Sequence, residues 1–356
     1  MQSIPTTKSP HTFAEFTTQK GARIFRIPLQ AFPGFWVYAY LVFVDDLVVL
    51  IDTGSGFGDC NEQLEEGFKR ARTRFGLGAR VDALTHILIT HGHIDHLGGL
   101  PYLLEKTDAK VGIHELDLRN LTNYEERIFV SVRRLREFFI EAGVDDEKRQ
   151  EIMNVYEVNK ALFHSVPADF TFGAIAMQLE RFEFLHVPGH SAGHVVIRLD
   201  DYLFCGDHVL NGISPHQWPE RLTMNMGLGH YLDSLDKLDI WAGENVTLTL
   251  SGHNEPIEDL HDRIKQIKRI HAQRLARTVE ILSEPHTIAE VSSRLFGEVS
   301  GYDILLSVEE AGAHVEYLYQ RGLLGISNME EIEQGGVPLL YEKMNDSVAG
   351  QVRICC

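Results

Sequence analysis

The chain contains the segment His91-Gly92-His93-Ile94-Asp95-His96, directly after the apolar run Ala83-Leu84-Thr85-His86-Ile87-Leu88-Ile89-Thr90. That run predicts a buried strand, so the polar segment is expected in the loop at the end of the strand. Residues two apart in an extended chain point to the same side, so His91 and His93 can reach one ligand. Because imidazole nitrogens and carboxylate oxygens bind zinc and similar divalent ions, the segment predicts a metal site.

The same pattern, a short apolar strand that ends at a polar residue, recurs elsewhere in the chain. The three further examples, each with a glycine beside the polar residue, are Pro188-Gly189-His190 after Glu183 to Val187, Gly206-Asp207 after Tyr202 to Cys205, and Gly252-His253 after Val246 to Leu250. A glycine allows the backbone to turn sharply and to approach a ligand closely. These positions therefore predict the additional ligands that the first segment lacks.

Taken in this order, the motifs resemble the metallo-β-lactamase superfamily over roughly Gly21 to Glu255. The resemblance implies an α+β fold, an αββα sandwich with its site along the edge where strand ends gather. It also implies a ligand set for two divalent metal ions: His91, His93 and His190 for the first, Asp95, His96 and His253 for the second, and Asp207 between both. Asp52 is implied to orient the site by hydrogen bonds. Zinc suits these ligands, with iron or manganese as alternatives.

The function implied is that of a dinuclear hydrolase resembling glyoxalase II and its relatives. A hydroxide that bridges the two ions would attack the carbonyl of a small thioester, lactone or related ester. The catalytic carboxylates are predicted to be Asp95 and Asp207, and Asp95 would orient the hydroxide and pass its proton to the leaving group. In the loop after Asp207, His216 and Trp218 are predicted to contact the substrate.

Two other functions remain open at this point: a metal-dependent endoribonuclease or phosphodiesterase, and a non-catalytic metal-binding regulatory protein. The chain has 33 basic and 51 acidic residues and a formal net charge of −18. A negative field of this size repels nucleic-acid phosphates, so the charge favours a small-molecule substrate over RNA.

The periodicity of the chain predicts two domains and a tail. Residues 1–256 form the metallo-β-lactamase domain, with a helical insertion at about 115–166 in which Arg119 to Ala142 and Asp146 to Asn159 have helical spacing. Residues 257–345 are helical and resemble the winged-helix domain of some superfamily members. We expect this second domain to form a homodimer contact or to close the pocket, and residues 346–356 to be a tail.

No apolar run approaches the roughly 18 residues that a membrane-spanning helix needs. The polar start, Met1 to Gln19, lacks the apolar core of a signal peptide and predicts a cytoplasmic protein. The four cysteines, Cys60, Cys205, Cys355 and Cys356, are too scattered for a disulfide framework. Cys205 is predicted to be a buried free thiol.

Overall fold

The structure, a computed structural model, describes residues 11–76, 78–159, 163–333 and 336–344. Its first sheet has seven strands in chain order. These strands, β1 to β7, are Ala14–Thr17, Arg23–Phe32, Phe35–Val44, Leu47–Ile51, His86–Leu88, Lys110–Ile113 and Phe170–Thr171. Strands β1 to β4 form an antiparallel meander, whereas β4 to β7 pair in parallel. Parallel pairing places the carboxyl ends of β4 and β5 at the same edge.

The second sheet has five strands in the order β12-β11-β10-β9-β8. Strands β8 to β12 are Gln178–Leu179, Phe182–His186, Val195–Leu199, Tyr202–Gly206 and Leu248–Ser251. Strands β8 to β11 are antiparallel to their neighbours, and β11 and β12 are parallel. As a result β9, β11 and β12 run in one direction and end at a common edge.

The two sheets pack face to face. The strands of the first sheet have apolar side chains on both faces, so one alternate set packs on the second sheet and the other set packs beneath the helices. In β3, Tyr38, Tyr40 and Val42 belong to the buried cluster that also contains Phe184 and Ile197 of the second sheet. The intervening side chains of β3 point to the opposite side and join a separate cluster beneath the helices. This alternation is the period-two pattern expected of a strand covered on both faces.

Helices cover the outer face of each sheet. The helices up to the end of the second sheet are α1 Cys60–Phe75, α2 Ile94–Leu97, α3 Leu100–Leu104, α4 Leu118–Thr122, α5 Tyr124–Glu141, α6 Asp146–Asn159 and α7 Leu228–Ala242. Leu64 of α1 and Leu103 of α3 pack on the first sheet. Tyr231 and Leu235 of α7 pack on the second sheet. The predicted αββα sandwich is therefore confirmed.

The C-terminal part is mainly helical, as predicted. It consists of α8 Leu260–Ile281, α9 Ile288–Phe296, α10 Tyr302–Gln320, β13 Leu324–Ile326, α11 Met329–Ile332 and β14 Tyr341–Lys343. Its buried residues Leu275 and Val308 share one continuous cluster with Phe138 of the insertion and Leu185 of the second sheet. The predicted domain limits and the winged-helix resemblance of this part stay predictions.

Two local predictions differ from the structure. The strand expected over Ala83 to Thr90 is confined to His86–Leu88, because Val81–Ala83 forms a short 3-10 turn and the chain after Leu88 enters the histidine segment. The helix expected over Arg119 to Ala142 breaks at Asn123, whose φ of −137° and ψ of 41° are not helical. The Ser165 hydroxyl accepts a hydrogen bond from the N–H of Tyr124, the first residue of the new helix α5.

Several predictions concern segments outside the described residues. These are the tail 346–356 with Cys355 and Cys356, and residues 1–10 of the polar N-terminal segment. In the described part of the chain, none of the helices has both the length and the apolar composition that crossing a bilayer requires.

The loop after β4 packs directly on the segment that carries Asp95 and His96. A Cβ atom on Gly98 would lie 2.1 Å from the Ser55 carbonyl oxygen, which is far inside van der Waals contact. The Thr53 N–H donates a hydrogen bond to the His96 carbonyl at 2.7 Å. Glycine at position 98 thus permits the close backbone approach that holds the histidine segment against the end of β4.

We expect Gly98→Ala to lower the free energy of unfolding by about 2–3 kcal/mol, because backbone atoms cannot yield to the new methyl group. Gly78→Ala is the matched control, since a Cβ at Gly78 meets no atom within 4 Å. The control should change stability by less than about 0.5 kcal/mol. Urea unfolding of both variants measures the difference, and a Gly98→Ala protein as stable as the control would contradict the close approach.

Candidate metal centre

The candidate ligands and Asp52, which supports them, follow the carboxyl ends of five strands at one edge of the sandwich. Asp52 follows β4, and the segment 91–96 follows β5. His190, Asp207 and His253 come just after β9, β11 and β12. The parallel direction of the strands in each sheet brings these ends together, so the structure gathers all of the sequence-predicted ligands at one place.

The first group of candidate ligands is His91, His93 and His190. One nitrogen atom from each ring lies within 4.8 Å of the others, and His91 Nε2 is 3.0 Å from His93 Nδ1. Burial lowers the pKa of His93 to about 3 and the pKa of His91 well below its usual range. The rings are therefore neutral near pH 7, and neutral imidazole is the form that binds a metal ion.

The second group of candidate ligands is Asp95, His96, Asp207 and His253. His253 Nε2 lies 3.1 Å from Asp207 Oδ2 and 3.4 Å from Asp95 Oδ2. Burial disfavours a charge on His253, but the two carboxylates outweigh burial and raise its pKa to about 10. This shift shows that the buried carboxylates attract positive charge strongly, which a divalent ion can supply.

The geometry of both groups fits metal ions. His96 Nε2, His190 Nε2 and His253 Nε2 are buried and make no well-aligned hydrogen bond with any described residue. Oxygens of Asp207 nevertheless lie 3.1–3.7 Å from these nitrogens. Ligands about 2.0–2.2 Å from a tetrahedral ion lie about 3.3–3.6 Å from one another. An ion would thus satisfy buried atoms that otherwise cost about 1–3 kcal/mol each.

Asp52 orients the histidine segment by three hydrogen bonds. Its carboxylate accepts from the Thr90 N–H and the Thr90 hydroxyl, each at 2.8 Å. Its Oδ2 also lies 2.8 Å from His96 Nδ1. Donation from Nδ1–H to Asp52 leaves the lone pair on His96 Nε2, the atom that faces Asp95 and Asp207.

Main-chain carbonyl groups orient two other rings in the same way. His190 Nδ1 lies 2.9 Å from the His216 oxygen, and His253 Nδ1 lies 2.6 Å from the Trp36 oxygen. A carbonyl only accepts hydrogen bonds, so each Nδ1 carries a proton and Nε2 is the atom left to bind an ion; on His253 the ion would replace the Nε2 proton that the two carboxylates favour. Three candidate ligand rings are therefore oriented for metal binding through Nε2, namely those of His96, His190 and His253.

Asp117 is a buried residue of the site that the sequence analysis missed. Its carboxylate accepts from Gly92 N–H at 2.7 Å, from the Ser191 hydroxyl at 2.7 Å and from Gly193 N–H at 2.9 Å. These bonds join the loop of His91 and His93 to the loop of His190. Its only sequence signal is its place in a polar stretch after strand β6.

An aromatic group beside His253 was also missed. The Phe35 ring centroid lies 4.7 Å from the His253 ring, and the ring of Phe32 contacts both Phe35 and Phe57. Phe35 is 47% exposed and Phe57 is 45% exposed. Exposed aromatic side chains that cluster next to a site often bind a ligand. The signal was the Pro33-Gly34 turn between aromatic residues.

The loop after Asp207 lies beside the first group of ligands. The Trp218 ring centroid is 6.1 Å from the ring of His93, and its buried Nε1–H makes no hydrogen bond with a described residue. Both ring nitrogens of His216 face glutamates of α10. Substrate contact by His216 and Trp218 stays a prediction. Cys205, in contrast, is a buried free thiol, as predicted.

Sequence comparison relates the chain to known proteins. Residues 34–253 match the model of the Metallo-beta-lactamase superfamily. The chain is 27% identical to a metallo-beta-lactamase fold-containing protein of Sulfurisphaera tokodaii over 169 residues, which cover 44% of this chain and 56% of that protein. It is 27% identical to a hydroxyacylglutathione hydrolase of Shewanella loihica over 196 residues, 52% of this chain and 60% of that protein. The chain thus spans little more than half the length of these curated relatives.

Solved structures share the fold over a larger part of the chain. A metallo-beta-lactamase family protein from Thermus thermophilus has a TM-score of 0.73 and 26% identity, and the match covers 90% of this chain and 98% of that one. A beta-lactamase domain protein from Burkholderia ambifaria, 20% identical, has a TM-score of 0.69 over 93% of both chains and supports the fold alone. The family model spans more than half of the chain. The chain therefore belongs to the metallo-beta-lactamase superfamily, as the order of its motifs predicts.

Proposed function

We propose that this protein is a dinuclear metal-dependent hydrolase that cleaves small thioesters, lactones or related esters, with zinc as its metal. The observation that carries the proposal is the position of Asp207. Its Oδ2 lies 3.7 Å from His190 Nε2 of the first group and 3.1 Å from His253 Nε2 of the second. A carboxylate within reach of both groups can bridge two ions. Relatives named metallo-hydrolase and hydroxyacylglutathione hydrolase support the hydrolytic class.

The chemistry combines the ions with side chains of this chain. Two bound divalent ions supply Lewis acidity, which lowers the pKa of water and polarises the acyl oxygen. The Asp95 carboxylate takes the proton of the attacking water and passes it to the leaving group. The Asp95 side chain is 13% exposed, against 9% for Asp207 and 0% for His96, so Asp95 is the most accessible of the three. Asp52 keeps the His96 ring in its binding tautomer.

The aromatic group formed by Phe32, Phe35 and Phe57 supports a substrate with an apolar portion. It lies next to His253, so an acyl group bound at the metal centre can pack on the Phe35 ring. Trp218 lies on the side of His93, with 6.1 Å between the two ring centroids, where its ring can form part of the substrate site. An aromatic wall and a few polar contacts are common features of small-molecule sites.

The structure gives less support to the nuclease alternative. A winged helix reads nucleic acid with an exposed helix, and α10 would be that helix by its position in the chain. However, α10 is packed between α7, α8 and α9, and most of its residues are buried. Its half-buried Glu316 carboxylate accepts hydrogen bonds from the main-chain N–H groups of Glu220 and Arg221, so it already has partners within the protein.

We expect removal of metal by a chelator to abolish ester hydrolysis and added Zn²⁺ to restore it, with two ions bound per chain. His253→Ala should bind one ion fewer and lose at least about a hundredfold in kcat. The matched control is His186→Gln, because His186 Nε2 bonds to the Ala192 carbonyl outside both groups. Elemental analysis and hydrolysis rates measure both effects, and full activity of metal-free protein would reject the proposal.

A substrate panel separates the three functions. We expect metal-loaded protein to hydrolyse thioesters or lactones with a higher kcat/KM than phosphodiesters, β-lactams or single-stranded RNA. Asp95→Ala should lower the preferred rate by about 10²- to 10⁴-fold, because it removes the proton acceptor. Preferential cleavage of RNA would establish the nuclease alternative, and no cleavage of any substrate would favour the regulatory one.

Phe35→Ala tests whether the aromatic group of Phe32, Phe35 and Phe57 binds the apolar part of the substrate. We expect KM for substrates with a long acyl chain to rise about tenfold while kcat changes little, because the ring contributes apolar contact rather than chemistry. Ile240→Ala is the control, since Ile240 is 83% exposed on α7, which covers the outer face of the second sheet. Steady-state kinetics on a series of acyl-chain lengths provide the measurement. If Phe35→Ala and wild type have equal KM values across the series, the aromatic group does not bind the acyl chain.

A further inference from the structure

A chain of contacts joins helix α10 to His190. The His190 ring donates its Nδ1–H to the His216 carbonyl at 2.9 Å. The side chain of the same His216 lies between two consecutive glutamates of α10: Nε2 is 3.2 Å from Glu309 Oε2, and Nδ1 is 3.4 Å from Glu310 Oε2. The C-terminal helix thus contacts a candidate metal ligand through one intermediate residue.

Glu309 and Glu310 are unusual because both are buried, with 0% and 6% of their surface exposed. Buried carboxylates are costly unless they are paired. Glu310 accepts from the Gln217 N–H and from Arg274 Nη1, each at 2.7 Å. His216 is the ion-pair partner that the structure gives to Glu309. Glu309 therefore contacts the side chain of His216, and Glu310 contacts the same side chain and the main chain at Gln217.

Helix α8 holds the same loop further upstream. The Arg263 guanidinium donates to the Leu210 carbonyl at 2.7 Å and to the Ile213 carbonyl at 2.6 Å. Arg274 donates to the Ser214 hydroxyl at 3.0 Å. Two C-terminal helices thus hold the loop between Asp207 and Trp218 along much of its length.

The neighbouring cluster of His271, Glu310 and His314 could be considered as a third metal site, since its ligand atoms lie within 4.8 Å of one another. Its hydrogen bonds argue against an ion. Glu310 already accepts from Arg274, whose positive charge would repel a cation. His314 Nδ1 lies 2.7 Å from the Glu310 carbonyl, and its Nε2 lies 3.2 Å from His271 Nδ1. These hydrogen bonds indicate instead that the cluster holds Glu310 in position.

We propose that His216 is a positioning residue, through which Glu309 and Glu310 of the C-terminal part fix the ring of the metal ligand His190. The inference rests on the proposed function, which makes His190 a ligand. The His216 carbonyl determines which nitrogen of His190 carries the proton and how the ring is turned. Partners of this kind typically change metal affinity by about 10- to 100-fold. This role differs from substrate contact, because it acts on the ion and not on the substrate.

The test compares His216→Ala and Glu309→Gln with the control Glu316→Gln. Glu316 is another α10 carboxylate, and it bonds to the main-chain N–H groups of Glu220 and Arg221, four and five residues after His216, rather than to His216 itself. We expect the first two variants to bind one of the two Zn²⁺ ions about 10- to 100-fold more weakly and the other ion normally. The Co²⁺ absorption spectrum of the weakened site should change as well. The control should match wild type in both measurements.

Three outcomes would overturn the inference. In the first, His216→Ala and Glu309→Gln bind both ions as tightly as wild type. In the second, KM rises in these variants while their metal affinity is unchanged. In the third, the control Glu316→Gln loses as much metal affinity as they do. Urea unfolding of the metal-free proteins identifies a variant that does not fold. If His216→Ala does not fold, Glu309→Gln, which preserves the shape of the side chain, decides by the same criteria.

Wild-type measurements distinguish failure of this inference from failure of the proposed function. If wild type binds two ions and hydrolyses esters while the variants bind both ions normally, only the inference fails. If wild type hydrolyses no ester, the proposed function fails, yet Zn²⁺ affinity of the variants still tests whether His216 positions His190.

Discussion

The burial of Asp95 and Asp207 beside histidine rings is the interaction on which the rest of the structure depends. Carboxylates removed from water are costly unless opposite charge or hydrogen-bond donors surround them. His96 and His253 supply part of this compensation, and the proposed metal ions supply the remainder. One short segment cannot surround two buried carboxylates from all sides. In the sandwich, five strands end at the same edge, so residues from five separate segments surround the two carboxylates.

Hydrogen bonds from residues around the site orient the candidate ligands and their loops. Asp52 and the carbonyl groups of Trp36 and His216 each fix a histidine tautomer. Asp117 joins two ligand loops to one carboxylate. These partners come from both sheets and from the loop that contacts α10. The C-terminal helices share one hydrophobic cluster with the second sheet, so they pack on the sheet whose strands precede His190, Asp207 and His253.

The order of the motifs predicted the sandwich through the resemblance to the superfamily, and the apolar pattern of the single strands could be recognised locally. The candidate ligands were predictable for the same reason: each follows a recognisable strand, and most are flanked by glycine. The predictions failed where local patterns are ambiguous. The helix expected over Arg119 to Ala142 is interrupted at Asn123, and the N–H of Tyr124, the first residue of the new helix, bonds to the hydroxyl of Ser165, which is distant in the sequence.

The sequence by itself determined the superfamily, through the order of its motifs, and the resemblance implied the layered fold and the set of residues at the strand ends. The motifs could be recognised because each is a short-range pattern of apolar, glycine and ligand residues. Only the tertiary structure decided which residues support them. Asp117 and Glu309 are single acidic residues whose partners lie 25 to 93 positions away. Such contacts leave no periodic signal in the sequence, because they arise only when separate elements pack together and a buried charge must find its partner.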